Sequence, residues 1–266
     1  MGCLIVGVLN CTPDSFSDGG RFAGVEAAIE AGLAMAEAGA DWIDVGGEST
    51  RPGSTPIGAE EEMRRVLPVI EGLATRAGRV RISIDTYRAE TARWAVRAGV
   101  SVVNDVSGGL LEPRLLDVAA ESGASLVLGH LRGPPATMME NIAFGDVVED
   151  VVSELGQRIG AARAAGCRDV WADPGIGFGK RTEHNLTLLG RLDELCKRLT
   201  VPVMVGVSRK AFIGHLTGRI AAERQFGTAA AVTACVLAGA RAVRVHDVPQ
   251  MREVVKVADA IRGAGG

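Results

Sequence analysis

The chain has 266 residues, 47% of them hydrophobic, with 29 Lys plus Arg against 32 Asp plus Glu and a net charge of −3. That length suits two average domains or one α/β barrel, and the slightly acidic balance argues against a basic surface for nucleic acid. Five scattered cysteines (Cys3, Cys11, Cys167, Cys196, Cys235) without a C-x-x-C pair fit reduced thiols better than disulfides or structural zinc.

The opening MGCLIVGVLN is apolar but too short to span a membrane, and it lacks the basic flank of a signal peptide. Val6 stands where a myristoylation site needs Ser or Thr. The stretch reads as a first strand, and the expected location is the cytoplasm, with no membrane partner. Because that strand begins almost at residue 1, little is expected to cap the floor beneath it. Whether residue 1 is the natural start is left open.

From there one alternation repeats: a short β-rich run, a polar or Gly-rich turn, an amphipathic helix. Strands are expected near 4–9, 41–46, 80–84, 101–104, 125–129, 169–172, 202–207 and 241–245. Helical stretches such as VEAAIEAGLAMAEAGA and TARWAVRAGV lie between, several closing on Ala-Gly or Ser-Gly (Gly39, Gly99, Gly123, Gly166, Gly239). Eight strands alternating with eight helices predict an α/β fold, a single-domain (β/α)8 TIM barrel over residues 1–266. An open doubly wound sheet is the rival.

A barrel carries its chemistry where the strands end. Those ends read Asn10, Asp44, Asp85, Asn104, His130, Asp173, Ser208 with Lys210, and Arg244 with His246. Loops are polar everywhere, but Asp85, Asn104 and Asp173 each follow directly on apolar strand residues. Burying so many polar groups is costly unless they meet a ligand or one another. In VRVHDV (243–248) the alternation puts Arg244 and His246 on one face of an otherwise apolar strand. Two tempting motifs fail. DPGIGFGKR is no P-loop, with Pro174 in place of the first Gly and Arg181 in place of Ser or Thr, and Lys180 occupies the third Gly of a dinucleotide fingerprint. His184 and His215 sit in polar helical surroundings and read as solvated.

GVLNCTPDSFSDGG (7–20), GGESTRPG (46–53), SIDT (83–86), VNDVSGG (103–109), DPGIGFGK (173–180), GVSRK (206–210) and RVHD (244–247) together resemble the dihydropteroate synthases, in family order and over essentially the whole chain. The resemblance implies condensation of a dihydropterin hydroxymethyl diphosphate with p-aminobenzoate, giving 7,8-dihydropteroate and pyrophosphate on the way to folate. It assigns the pterin to Asp173, Asn104 and Lys210, with Phe178 as part of a wall. The leaving diphosphate falls to Arg244, His246 and Arg51, helped by Thr50, with Mg2+ on Asn10. Asp85 is set to stabilise positive charge on the pterin's exocyclic methylene. Asp85, Lys210, Arg244 and His246 form the expected catalytic set. Ser208 and Pro52 are expected to meet the acceptor's carboxylate and ring, and a homodimer is the usual assembly. No enzyme nucleophile is implied.

Two departures stand out. Gly129 occupies the place of a methionine that often lies against the pterin, which predicts a thinner wall, and Cys11 replaces a usual valine. A pterin-binding methyl-transfer domain is the nearest rival, but it handles no diphosphate, against SRK and RVHD together. A non-catalytic pterin binder is opposed by intact Asp85, Lys210, Arg244 and His246.

The loops CTPDSFSDGG and ESTRPGS lack apolar spacing to pack themselves down, so they are expected to be mobile until a magnesium-bound diphosphate draws them closed. p-Aminobenzoate should then bind measurably only with magnesium pyrophosphate present, and Arg51→Ala should remove that linkage. Titrating labelled p-aminobenzoate with and without magnesium pyrophosphate checks this; equal affinities would mean a preformed pocket.

Overall fold

Alternation of side chains sorts every strand into one face turned inward and one turned toward a helix. The computed structural model describes residues 2–12, 20–50 and 53–265, with side chains given from residue 24 onward in the second of these stretches. The CTPDSFSDGG loop from residue 13 to 19, and with it Arg51 and Pro52, lies outside the described residues.

The strands are β1 (Leu4–Asn10), β2 (Trp42–Gly46), β3 (Arg81–Asp85), β4 (Val102–Asp105), β5 (Ser125–Gly129), β6 (Val170–Asp173), β7 (Met204–Val205) and β8 (Ala242–Val245). They form one parallel sheet in the order β6-β5-β4-β3-β2-β1-β8-β7. Its two edges meet through an Ala172–Val203 bridge and an Ala172 N–H to Pro202 carbonyl bond of 3.0 Å. The sheet therefore closes into the expected barrel, and the open doubly wound alternative is excluded.

Helices α1 (Gly20–Glu37), α2 (Ala59–Arg76), α3 (Ala89–Arg97), α4 (Arg114–Ser122) and α5 (Val147–Ala164) follow the first five strands. The expectation of eight helices needs correction. The β6–β7 connection is broken into α6 (Thr182–Gly190) and α7 (Leu192–Arg198) at Gly190. The β7–β8 connection is broken into α8 (Ala211–Thr217) and α9 (Gln225–Leu237), α8 ending on Gly218 at φ 70°. The last is α10 (Val248–Ala264). The five expected helix-ending glycines all have positive φ, from 70° at Gly123 to 116° at Gly99. Strand β7 is shorter than the predicted 202–207: Pro202 has no N–H to give a ladder, and the chain leaves the sheet at Gly206. No described helix is long and apolar enough to cross a membrane.

Two apolar clusters match the two faces. Outward residues such as Ile5, Ile43, Val45, Ile84, Leu126, Val205 and Val243 pack under the helices. Each contributes about 2 kcal/mol by its burial. Inside, Val6, Trp42, Val102, Val127, Trp171, Met204 and Ala242 form a separate plug, with Trp42 and Trp171 edge to face at 5.0 Å. The floor beneath it is not bare, contrary to expectation. Arg81 lies over the Trp42 ring at 5.1 Å and donates to Ser125 Oγ at 2.6 Å, while Ser125 Oγ donates to Asp169. Charge at the floor and apolar bulk in the middle leave only the C-terminal mouth open for chemistry.

One buried hub sets the DPGIGFGK loop after β6. Lys180, 3% exposed, donates from Nζ to His130 Nδ1 at 2.9 Å and to the carbonyls of Gly175 and Phe178, each at 3.1 Å. His130 turns Nε2 to Glu154 at 3.1 Å. Burial and the neighbouring Lys180 push its pKa down to about 4, so the ring is neutral. Gly175, at φ 66°, passes so close that any Cβ would sit 2.0 Å from the His130 carbonyl oxygen. Lys180→Met should strand those carbonyls and cost about 3 kcal/mol. Urea denaturation checks this, an unchanged midpoint being the contrary result.

Candidate active site

The parallel registers align Asn10 with Gly46, Gly46 with Asp85, and Asp85 with Asn104, placing a row of polar ends at one height around the mouth. Asp44 sits two residues below Gly46 on the same inward face, level with Val8 and Ser83. Arg244 reaches across the mouth from β8 into this row. Its Nε donates to Asp44 Oδ2 at 2.6 Å and its terminal nitrogen to Asp85 Oδ2 at 2.7 Å. Asn104 Nδ2 also donates to Asp44 Oδ2, at 2.9 Å.

Asp44 is the functional residue that sequence reasoning passed over, noting it as a strand end but giving it no role. It is fully buried, and its Oδ1 is the one buried side-chain oxygen or nitrogen without a partner among the described residues. The signal was there: in WIDVGG an aspartate shares a strand face with inward Trp42. The Arg244 contacts are with strand carboxylates and not with a helix. They tie one strand to two others.

The electrostatics follow from crowding charges in a partly dry space. Burial raises the Asp85 pKa to about 7, with Arg244 opposing that rise and Asp44 adding to it. Burial also raises Asp173, whose Oδ1 accepts the Gly175 N–H at 2.7 Å. Burial and Arg244 bring Lys210 down to about 8. The Lys210 ammonium lies 3.9 Å from the centre of the Phe178 ring, a cation–π contact that holds both on the slot. Gly206 borders that slot: a Cβ there would stand 3.9 Å, an ordinary contact distance, from both Asp173 Oδ2 and Arg244 Cβ.

His246 faces the mouth as expected. Its backbone N–H donates to Ser208 Oγ at 3.2 Å, and its Nδ1 lies 2.9 Å from the same oxygen. Oγ can accept from the backbone N–H and donate its own proton to Nδ1, an arrangement that leaves the ring proton on Nε2. Burial and Arg244 push the His246 pKa down to about 4. The ring is thus neutral near pH 7. Ser208, expected to meet an acceptor's carboxylate, bonds this ring.

Thr50 is half-buried, four residues past the end of β2. The stems of its loop are tied by Arg88, which donates to Glu48 Oε2 at 2.7 Å and to the Ile57 carbonyl, while Glu48 Oε2 accepts the Ile57 N–H at 2.9 Å. The predicted thin wall at Gly129 is not open space: a Cβ there would stand 2.5 Å from the Val106 carbonyl oxygen. His130 serves the Lys180 hub, His184 accepts the nearby Arg181 N–H at 3.3 Å, and exposed His215 lies 2.6 Å from Thr182 Oγ1. The described cysteines are all free, and burial pushes Cys11 and Cys3 up to about 12, which suits packing and not nucleophilic attack.

The family described as "Pterin binding enzyme" matches residues 6–246. The chain is 45% identical to the Synechocystis dihydropteroate synthase over 260 residues, covering 97% of this chain and 89% of that protein. It also resembles the Xanthomonas albilineans dihydropteroate synthase solved with 4-aminobenzoic acid, at 44% identity and TM-score 0.91, over 98% of this chain and 93% of that one. The same enzyme in complex with 7,8-dihydropteroate matches at 42% identity and TM-score 0.86, over 98% and 94%.

Asp44→Asn should keep the bond geometry toward Asn104 but remove the charge that raises Asp85 and competes for Arg244. The Asp85 pKa should then fall from about 7 toward the ordinary carboxylate range. Carbon-13 titration of labelled aspartates reads this directly, and an unmoved Asp85 would contradict the coupling.

Proposed function

The chain belongs to the pterin-binding enzymes and, within them, to the dihydropteroate synthases, and from that premise we propose how its own residues divide the work. The enzyme condenses dihydropterin hydroxymethyl diphosphate with p-aminobenzoate, giving 7,8-dihydropteroate and pyrophosphate in folate biosynthesis. The observation that supports the assignment of roles is the convergence of Asp173, Lys210, Asn104 and the Arg244–Asp85 pair on one barrel mouth.

Asp173 accepts the paired N–H groups on the guanidine-like edge of the pterin, and Asn104 both donates and accepts beside it. Lys210 donates to the ring carbonyl or a ring nitrogen, and Phe178 walls the slot. As the carbon–oxygen bond to diphosphate breaks, negative charge gathers on the leaving oxygen and positive charge on the methylene. Arg244, neutral His246 through Nε2–H, and Arg51 stabilise the first, and Asp85 the second. The p-aminobenzoate nitrogen then bonds to that carbon and loses a proton. The acceptor's carboxylate and ring fall to Ser208 and Pro52 by the resemblance, with Thr50 and Phe178 beside them.

Magnesium fits this mouth in one limited way. No group of three or more His, Cys, Asp or Glu among the described residues is arranged to hold a metal. Asn10 offers a single hard oxygen, 3.9 Å from where a Gly46 Cβ would stand. Such a donor suits Mg2+ that keeps its waters and shares the substrate's phosphates. Bound there, the ion supplies charge neutralisation for the diphosphate. A cytoplasmic homodimer is the setting this reading carries.

Pyrophosphate release should require p-aminobenzoate, the pterin diphosphate and magnesium together. Asp173→Ala and Lys210→Ala should each weaken pterin binding by about 2–4 kcal/mol, with Arg244→Ala harming turnover as well. A coupled pyrophosphate assay and calorimetry decide it. Methyl transfer from a methylated folate without condensation would sink the reading, and wild-type affinity in all three variants would misplace the site.

A further inference from the structure

Two short segments at the mouth are joined residue by residue. Ser208 holds His246, through contacts of 3.2 and 2.9 Å. The next residues pair as well: Arg209 Nε donates to Asp247 Oδ2 at 3.1 Å and its terminal nitrogen to Asp247 Oδ1 at 2.5 Å. Lys210 follows on one strand of this zipper and Arg244 precedes on the other. We infer that the bidentate Arg209–Asp247 pair is a positioning device for the reaction, locking the loop after β7 to the loop after β8 so that Lys210 and His246 stay at a fixed separation across the mouth.

Two observations say that the pair is not there for folding alone. Asp247 occupies the position before α10 where an aspartate ordinarily caps the helix, yet its side chain makes no capping bond. It is turned to Arg209 instead. Arg209, for its part, takes φ 58°, a left-handed conformation disfavoured for a residue with a Cβ. Its backbone is secured without its side chain. The Arg209 N–H donates to Thr228 Oγ1 at 3.0 Å, and Arg224 holds the Arg209 and Lys210 carbonyls at 3.0 and 3.3 Å. Gly214 makes room for that arginine, since a Cβ would lie 2.1 Å from its guanidinium. The loop is thus kept folded by Thr228 and Arg224. The Arg209 side chain is left to register Lys210 against His246.

The pair also sets the charge beside the imidazole. Arg244 on its own strand, Arg209 and Lys210 from the β7 loop, and Asp247 next to it are the charged groups acting on His246, the three cations opposing its protonation and Asp247 favouring it. Cutting the pair from its two ends should therefore have unequal electrostatic consequences. Arg209→Met leaves the Asp247 charge unopposed, and His246 should take up its proton at higher pH. Asp247→Asn leaves a cation unopposed, and no upward shift should appear. The double variant should return close to the parent.

This inference rests on the roles given above to Lys210 and His246, and the test separates the two. Proton NMR of the ligand-free enzyme follows its four histidines, with His246→Gln used only to assign the signal. Steady-state condensation is measured in parallel. Arg209→Met and Asp247→Asn should each lower kcat about 10-fold or more, with KM for the pterin diphosphate rising as Lys210 loses its register, and the double variant should be no worse than the poorer single. Arg209→Gly, at ease with a left-handed φ, should lose activity like Arg209→Met. Absence of condensation in the parent would fault the functional reading while the NMR arm still reports on the pair. Condensation with an unchanged His246 titration and unchanged kcat in Arg209→Met would overturn the inference, as would full activity in Arg209→Gly.

Discussion

A guanidinium on the inner face of a closed barrel has to be paired, and Arg244 is paired across the whole mouth. From β8 it reaches over β1 to Asp44 on β2 and Asp85 on β3. Removing one partner of a buried pair costs about 3–5 kcal/mol, less here because the Arg244 side chain keeps 19% of its exposure. The strut does more than hold the strands. It fixes Arg244 before substrate arrives, it orients Asn104 through the shared Asp44 oxygen, and it opposes the rise that burial imposes on the Asp85 pKa. A cation held between two carboxylates suits a reaction in which negative charge leaves from one side and positive charge appears on the other.

The loops around this strut are built on cationic hubs that bind backbone. Lys180 collects carbonyls of the DPGIGFGK loop, Arg88 ties the stems of the ESTRPG loop through Glu48 and Ile57, and Arg224 holds the SRK carbonyls. Each hub replaces a ladder of strand bonds that an irregular loop cannot make, and buried backbone groups need such partners. The hubs keep the chemical groups on fixed supports. The groups proposed to meet ligand lie between them: Asp173 and Phe178 beside Lys180, Thr50 beyond Glu48, Lys210 beside Arg224.

How much of this was legible beforehand depends on range. Strand positions and helix-ending glycines were readable because alternation and turn chemistry act between near neighbours in sequence. β7 was overestimated because its VPVMVGVS run has strand composition, while its missing ladder follows from Pro202 and from where Gly206 turns. The breaks at Gly190 and Gly218 were hidden because an apolar helical pattern continues on both sides of each.

Of the site, the sequence alone determined that polar groups would crowd the C-terminal mouth of an eight-stranded barrel, and it named Asp85, Asn104, Asp173, Lys210, Arg244 and His246 by their places at strand ends. Only the tertiary structure decided which of them touch. That Asp44 holds Arg244, that Ser208 turns to His246, and that Arg209 meets Asp247 are contacts between residues about 40 to 200 positions apart. Such pairings are set by strand register around a closed ring. Register is a property of the assembled sheet, which no local run of residues carries.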